Sequence, residues 1–283
     1  MSFVDQWLAA CGRNRSRLCL GLDPEPARLP APWTGDPDRL FDFCAAVVDA
    51  TADLVCAYKP QIAHFAAVGG EAQLHRLIRH IHDTAAGVPV ILDAKRGDIG
   101  STAAHYAREA FERYEADALT VSPFMGLDSL APYMDAYPER GLFLLCRTSN
   151  PGADDLQALC VQRDGGPAER LFERVARLAA GAWNRSGQLG LVTGATRPQD
   201  IVAVRAVAPR LPLLIPGVGA QGGDLEATVR AAGDRFLINA SRSVLYAAGG
   251  GGFAAAARAE AQRLRQAIAE LAPIADPDPP TSP

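Results

Sequence analysis

Only two of the 28 basic residues in this 283-residue chain are lysines, Lys59 and Lys95; the other 26 are arginines. An ammonium is a compact, proton-donating point charge, whereas a guanidinium is a poor acid near neutral pH. A chain that uses arginine almost everywhere therefore keeps lysine where arginine cannot serve. Both lysines close apolar runs, LVCAYKP and VILDAKRGD. On an extended chain Asp93 and Lys95 stand two residues apart, which sends both side chains to one face. Asp98 follows one loop later, Thr102 opens the next helix, and Asp23 ends the run LCLGLDP. Carboxylates flanking Lys95 favour its ammonium form, whereas a Schiff-base lysine requires the opposite. Such an ammonium suits a reaction in which negative charge develops on carbon, is stabilised there and is then quenched by a proton. The plainer reading makes Asp93, Lys95 and Asp98 a loop salt bridge, Asp98 or Ser101 a helix N-cap, and Asp23 part of an Asp-Pro turn.

Two further groups of residues carry recognition chemistry. PGVGAQGGD leaves the backbone amides of Gly217, Gly219, Gly222 and Gly223 uncovered, with Gln221 among them, and NASRSVLY opens a helix at Arg242. Amides and a guanidinium fork at a helix start suit a phosphate. In CRTSNPGA, Ser149 and Asn150 offer donors and acceptors ahead of the turn at Pro151, which suits the edge of a polar heterocycle.

The elements that must position these residues are read from the periodicity. Strand-length apolar runs occur at Leu18 to Leu22, Leu54 to Tyr58, Val88 to Asp93, Ala118 to Ser122, Leu142 to Cys146, Leu189 to Thr193, Leu213 to Ile215 and Phe236 to Asn239. Between them lie helix-like segments, among them Leu40 to Ala50, Ala72 to Ile81, Ala103 to Tyr114, Ala168 to Trp183, Ile201 to Ala208 and Leu225 to Ala232. Eight alternations predict an α/β chain folded as a (β/α)8 TIM barrel, with a doubly wound sheet as the competitor. Runs such as VPVIL and LPLLI are apolar throughout, as parallel strands buried on both faces require. In a barrel the chemistry gathers at the carboxyl ends of the strands, where Asp23, Lys59, Asp93 and Lys95 fall, and phosphate binds after strands seven and eight. A helix from Phe3 to Gly12 is expected to cover the barrel's bottom, and the long stretch between the fifth and sixth barrel strands to hold a functional loop. Residues 1–272 are expected to form one barrel domain ending in a helix at Phe253 to Leu271, reached through a flexible link at Gly249 to Gly252. Residues 273–283, rich in proline, are expected to be disordered.

Composition narrows the function. The formal net charge is −4 and no run of five basic residues occurs, which argues against a nucleic-acid surface. No stretch approaches 18 apolar residues, and Asp5 and Gln6 interrupt the start of the chain, so neither a membrane span nor export is expected. Six cysteines without a C-x-x-C pair read as reduced, buried thiols in the cytoplasm, and demote zinc and disulfide frameworks.

Together the motifs resemble the orotidine 5′-phosphate decarboxylase family, in its longer bacterial form. The most specific element is D-x-K-x-x-D-I-x-x-T, matched by Asp93, Lys95, Asp98, Ile99 and Thr102; PGVGAQGGD and Ser241 to Ser243 match the family's phosphate end. The resemblance implies a charged network of Lys59, Asp93, Lys95 and Asp98, with Lys95 the proton donor to pyrimidine C6. It implies that Asp23 and Lys59 hold ribose hydroxyls, that Ser149 and Pro151 face the pyrimidine, and that Gly219, Gln221 and Arg242 hold the phosphate. It further implies a homodimer in which Asp98 and Thr102 enter the partner's site, and a reaction without cofactor or metal. Ser241 stands where many members carry glycine, and the segment after Ser149 is longer than in compact members. Magnesium-dependent relatives that share D-x-K-x-x-D place an acidic metal ligand at the end of strand two; here Lys59 would repel a cation. A phospholigand sensor on a barrel scaffold is the non-enzymatic alternative.

Overall fold

Continuous Val, Leu and Ile runs have no polar face to offer water, so they are stable only when covered on both sides. The computed structural model, which describes residues 1–163, 165–218, 222–248 and 252–274, buries them that way. Eight parallel strands form one sheet: β1 (Leu18–Leu22), β2 (Ala57–Pro60), β3 (Ile91–Arg96), β4 (Ala118–Val121), β5 (Gly141–Arg147), β8 (Leu189–Thr193), β9 (Leu213–Pro216) and β10 (Phe236–Ala240). Their order is β2-β1-β10-β9-β8-β5-β4-β3. Parallel bridges from Tyr58 to Val90 and from Gln61 to Asp93 join the two ends and close the barrel. The helices between the strands bury their apolar stripes against it, as in Glu71–Thr84, where Leu74, Leu77, Ile78 and Ile81 face inward.

The expected first helix spans Phe3–Asn14 and stoppers one end of the barrel. Phe3, Trp7 and Cys11 pack with the interior residues Cys19, Ala57, Ile91, Ala118, Phe143, Leu214 and Leu237 in one apolar cluster. The Phe3 ring meets Phe143 edge-on at 5.6 Å, and a Cβ at Gly141 would fall 2.4 Å from the Phe3 ring, so only glycine fits there. With that end filled by hydrocarbon, the polar interior residues Lys59, Asp93, Thr120 and Asn239 are left to the other end, where the strands finish.

Several boundaries depart from the sequence reading. β2 and β3 each begin three residues later than their apolar runs, because the hydrogen-bond ladder starts only where the closing strands come side by side. The helix expected over Ala103 to Tyr114 starts at Gly100 and ends in a π-helical turn, Glu109–Arg113. The stretch after β5 is built structure: a 3-10 turn (Pro151–Ala153), a short helix (Asp154–Gln157) and an antiparallel hairpin of β6 (Cys160–Arg163) and β7 (Gly166–Arg170). The hairpin takes the start of the helix expected over Ala168 to Trp183, which spans Leu171–Ala180. The last helix covers Phe253–Leu271 as expected. All six cysteines are free, but Cys160 is exposed on the hairpin, against the expectation of uniformly buried thiols. Residues 249–251 of the expected glycine link and 275–283 of the expected tail lie outside the described residues.

Candidate active site

A cavity of about 570 Å³ opens at the carboxyl ends of the barrel strands. Its floor is an alternating line of charge. Lys59, on β2, donates to Asp93 Oδ2 at 2.7 Å, and Lys95 donates to Asp93 Oδ1 at 2.5 Å. Lys59 and Asp93 are 5% and 7% exposed, while the Lys95 side chain is half exposed toward the cavity it lines. Burial by itself would neutralise Lys59 and Asp93. Burial would lower the Lys59 pKa, but Asp93 and Asp23 outweigh it and hold the ammonium above the usual lysine range. Burial would raise Asp93, but the two ammonium groups and their hydrogen bonds push it well below the usual carboxylate range. Lys59 and Asp93 therefore stay charged near neutral pH, and the Lys95 Nζ beside them is the accessible one of the two lysine nitrogens.

The contact between Asp93 and Lys95 is not made by simple strand alternation. On β3 the register slips between Leu92 and Arg96, and Lys95 adopts a left-handed backbone with φ of 47°. The bulge, rather than a shared face of an extended strand, turns Lys95 back onto Asp93. The second flanking carboxylate, Asp98, does not join the pair in this chain; its Oδ1 accepts from the Ile99 N–H. Asp98 and the exposed Thr102 both lie outside the cavity's lining.

Asp23 follows β1 and lines the cavity. Its Oδ2 accepts from Ser241 Oγ at 2.6 Å, and its buried Oδ1 has no hydrogen-bond partner among the described residues. Ser241 fits because β1 carries glycine opposite it: a Cβ on Gly21 would lie 2.8 Å from the Ser241 Cβ. Ser241 is thus matched across the strands and orients a carboxylate of the site.

Ser149 and Asn150 line another wall, together with Thr148 and Gln157, while Pro151 is exposed and outside the lining. Gln157 folds back from the short helix, accepting from the Thr148 N–H and donating to Thr148 Oγ1, and Thr148 Oγ1 donates to Asn150 Oδ1 at 2.6 Å. Among the described residues, that relay leaves the Asn150 amide nitrogen as its free donor. The wall is anchored by Arg147, which is 3% exposed and donates to Asp200 at 2.7 Å and Asp154 at 2.5 Å.

Gly217, Val218, Arg242 and Ser243 line a further part of the cavity, after β9 and β10. Gly217 has φ of 98°, and the Gly223 N–H returns to its carbonyl at 3.2 Å. Arg242 begins the short helix Arg242–Leu245 with its side chain exposed at the mouth. Gly219 and Gln221 lie outside the described residues. The structure thus brings Asp23, Lys59, Asp93, Lys95, Ser149 and Arg242 to one cavity. The sequence reading missed Thr120, Gln61, Asn239 and Gln157, which also line it. For Thr120 and Asn239 a signal existed: each is a lone polar residue inside an otherwise apolar strand.

Residues 16–259 match the orotidine 5′-phosphate decarboxylase / HUMPS family. An orotidine 5′-phosphate decarboxylase of Verminephrobacter eiseniae is 63% identical over 268 residues, 94% of this chain and 97% of the relative. One of Paracidovorax citrulli is 63% identical over 272 residues, 95% of this chain and 98% of the relative. Among solved structures, the OMP decarboxylase of Leishmania donovani is 40% identical with a TM-score of 0.83, covering 96% of this chain and 99% of the other. With the family match spanning most of the chain and relatives 63% identical over nearly their whole length, the chain belongs to the orotidine 5′-phosphate decarboxylase / HUMPS family.

Proposed function

We propose that this chain converts orotidine 5′-phosphate to uridine 5′-phosphate and carbon dioxide, the step that completes de novo UMP synthesis, without a cofactor. The observation that carries the reading is the Lys59–Asp93–Lys95 array, whose one accessible ammonium stands on the cavity floor. In this reading the bond from pyrimidine C6 to the carboxylate breaks, the electron pair stays on C6, and Lys95 Nζ stabilises it and gives it a proton. The resulting amine regains its proton from water. Asp93, kept ionised by two ammonium groups, holds Lys95 in place and adds negative charge beside the departing carboxylate. Asp23 and Lys59 take ribose hydroxyls, Ser149 faces the pyrimidine from the turn that Pro151, outside the lining, fixes from behind, and Gly219, Gln221 and Arg242 take the phosphate. Asp98 and Thr102, outside their own chain's cavity, complete the site of a second copy, making the enzyme a homodimer. We take residues 1–272 as the catalytic domain and the cytoplasm as its place of action; among the described residues no helix is long and apolar enough to cross a membrane.

The family also includes metal-dependent sugar-phosphate enzymes. At the end of β2, where those carry an acidic ligand, this chain carries buried Lys59 paired to Asp93, which opposes a cation there. Purified protein in EDTA is therefore expected to turn over orotidine 5′-phosphate with release of carbon dioxide. Lys95→Ala is expected to abolish turnover while still binding uridine 5′-phosphate, and Lys95→Arg not to restore it. Turnover only after magnesium is returned would move the chain to the metal-dependent branch, and near-normal turnover by Lys95→Ala would remove Lys95 as the acid.

A further inference from the structure

Between Leu92 and Arg96 on β3 three residues, Asp93, Ala94 and Lys95, stand opposite a single residue of β4, Thr120. A bulge of this kind leaves backbone N–H groups without ladder partners, a cost that must be met locally. Thr120 meets it with its side chain: Oγ1 accepts from the Ala94 N–H at 3.1 Å and from the Lys95 N–H at 2.9 Å. A hydroxyl has two acceptor sites and one proton. With both acceptor sites taken by N–H donors, the proton has one destination, Asp93 Oδ1 at 2.9 Å. Thr120 is 2% exposed, and its hydroxyl's bonding sites are taken by these three partners.

We infer that Thr120 is a positioning residue for proton transfer, acting through the left-handed backbone of Lys95 and the carboxylate of Asp93. The same hydroxyl holds both ends of the pair. It secures the backbone at φ of 47° that turns Lys95 toward the cavity, and it fixes the Asp93 oxygen that Lys95 grips at 2.5 Å. A non-glycine residue keeps such a conformation only when its surroundings hold it there. Thr120 itself transfers no proton, because its only one is committed to a carboxylate that stays ionised. The inference rests on the decarboxylase reading for its kinetic consequence, but not for its structural one.

Thr120→Val keeps the branched shape and loses the hydroxyl, while Thr120→Ser keeps the hydroxyl. For orotidine 5′-phosphate, the valine variant is expected to lose about tenfold or more in kcat with little change in KM, as for an interaction needed only in the transition state. The serine variant is expected to stay within about threefold of the unaltered protein, since its hydroxyl makes the same bonds. Because the chain has two lysines, 13C-lysine labelling yields two ε-methylene NMR signals, assigned with Lys95→Arg. The Lys95 signal is expected to move in Thr120→Val and not in Thr120→Ser. An unmoved Lys95 signal in folded Thr120→Val overturns the inference, as does a serine variant as impaired as the valine one. If the unaltered protein does not decarboxylate orotidine 5′-phosphate, the functional reading fails and the NMR comparison alone decides the role of Thr120.

Discussion

Asp93 is the residue on which the site's electrostatics turn, since its two oxygens separate ammonium groups that would otherwise repel each other. Removing its charge takes from buried Lys59 its hydrogen-bonded counter-ion and leaves only Asp23 nearby, and breaking a buried pair from one side costs about 3 to 5 kcal/mol. Asp93→Asn is expected to lower the unfolding free energy by that order in urea titrations near neutral pH. The pH dependence follows from the direction of the shifts. A carboxylate held below its ordinary range contributes stability above the unfolded-state value, about 3.9, and loses it as pH falls through the lower folded-state value. An ammonium held above its ordinary range contributes fully below the unfolded-state value, about 10.4, and loses its contribution only as pH rises through the folded-state value. The difference between the unaltered protein and Asp93→Asn should be level from about pH 5 to 9 and shrink below about pH 4. A difference that already narrows between pH 8 and 6 would show that Asp93 is not the ionised partner of both lysines.

At the scale of elements, the cavity is assembled from rim segments that touch different parts of a substrate. The turn around Gly217 and the helix at Arg242 form one side, and Lys95 on its bulge forms another. Binding energy collected at the phosphate can be used to order the rim, so that it appears in the rate and not only in affinity. Arg242→Ala is expected to reduce kcat/KM by one to several orders of magnitude, about tenfold for each ~1.4 kcal/mol lost. Phosphite dianion should accelerate turnover of a substrate that lacks the phosphate. A normal kcat/KM would take Arg242 out of the site, and a loss without phosphite activation would make it an anchor only. The wall after β5 shows how rigidly a rim element can be held. Arg147 ties Asp154 and Asp200, Arg170 also reaches Asp200 at 2.8 Å, and Arg197 reaches Asp154 at 2.5 Å, so the turn bearing Ser149 and Asn150 is braced from three directions.

At the scale of the whole molecule, two of the residues assigned by the family's motif do not reach their own chain's cavity. Asp98 and Thr102 lie past the end of β3, where Ile99 is exposed, and Phe124, just after β4, is exposed as well. If the homodimer shares its sites, mixing inactive Lys95→Ala and Asp98→Ala chains is expected to restore activity, because some hybrid sites draw both intact residues from different chains. Subunit exchange shown by mass spectrometry without any return of turnover would refute site sharing.

The barrel was legible in the sequence because parallel strands buried on both faces must be apolar at every position, and eight such runs leave few other architectures. The helix Phe253–Leu271 and the stopper helix were legible for a similar local reason, a single apolar stripe at helical spacing. Lys59, Asp93 and Lys95 stood out through chemistry, as the only two lysines and a carboxylate at strand ends. Partnership was not legible. Thr120 meets Lys95 from 25 residues away, and Ser241 meets Asp23 from 218 residues away. The late starts of β2 and β3 depend on where neighbouring strands come alongside, and the Lys95 bulge on what β4 offers across the ladder. Residue type and local periodicity, which depend on the chain's own covalent order, were determined by the sequence alone. Which hydroxyl holds which carboxylate was decided by the tertiary structure, since hydrogen bonds and desolvation act over a few ångströms of space and only closure of the barrel brings those atoms within that distance.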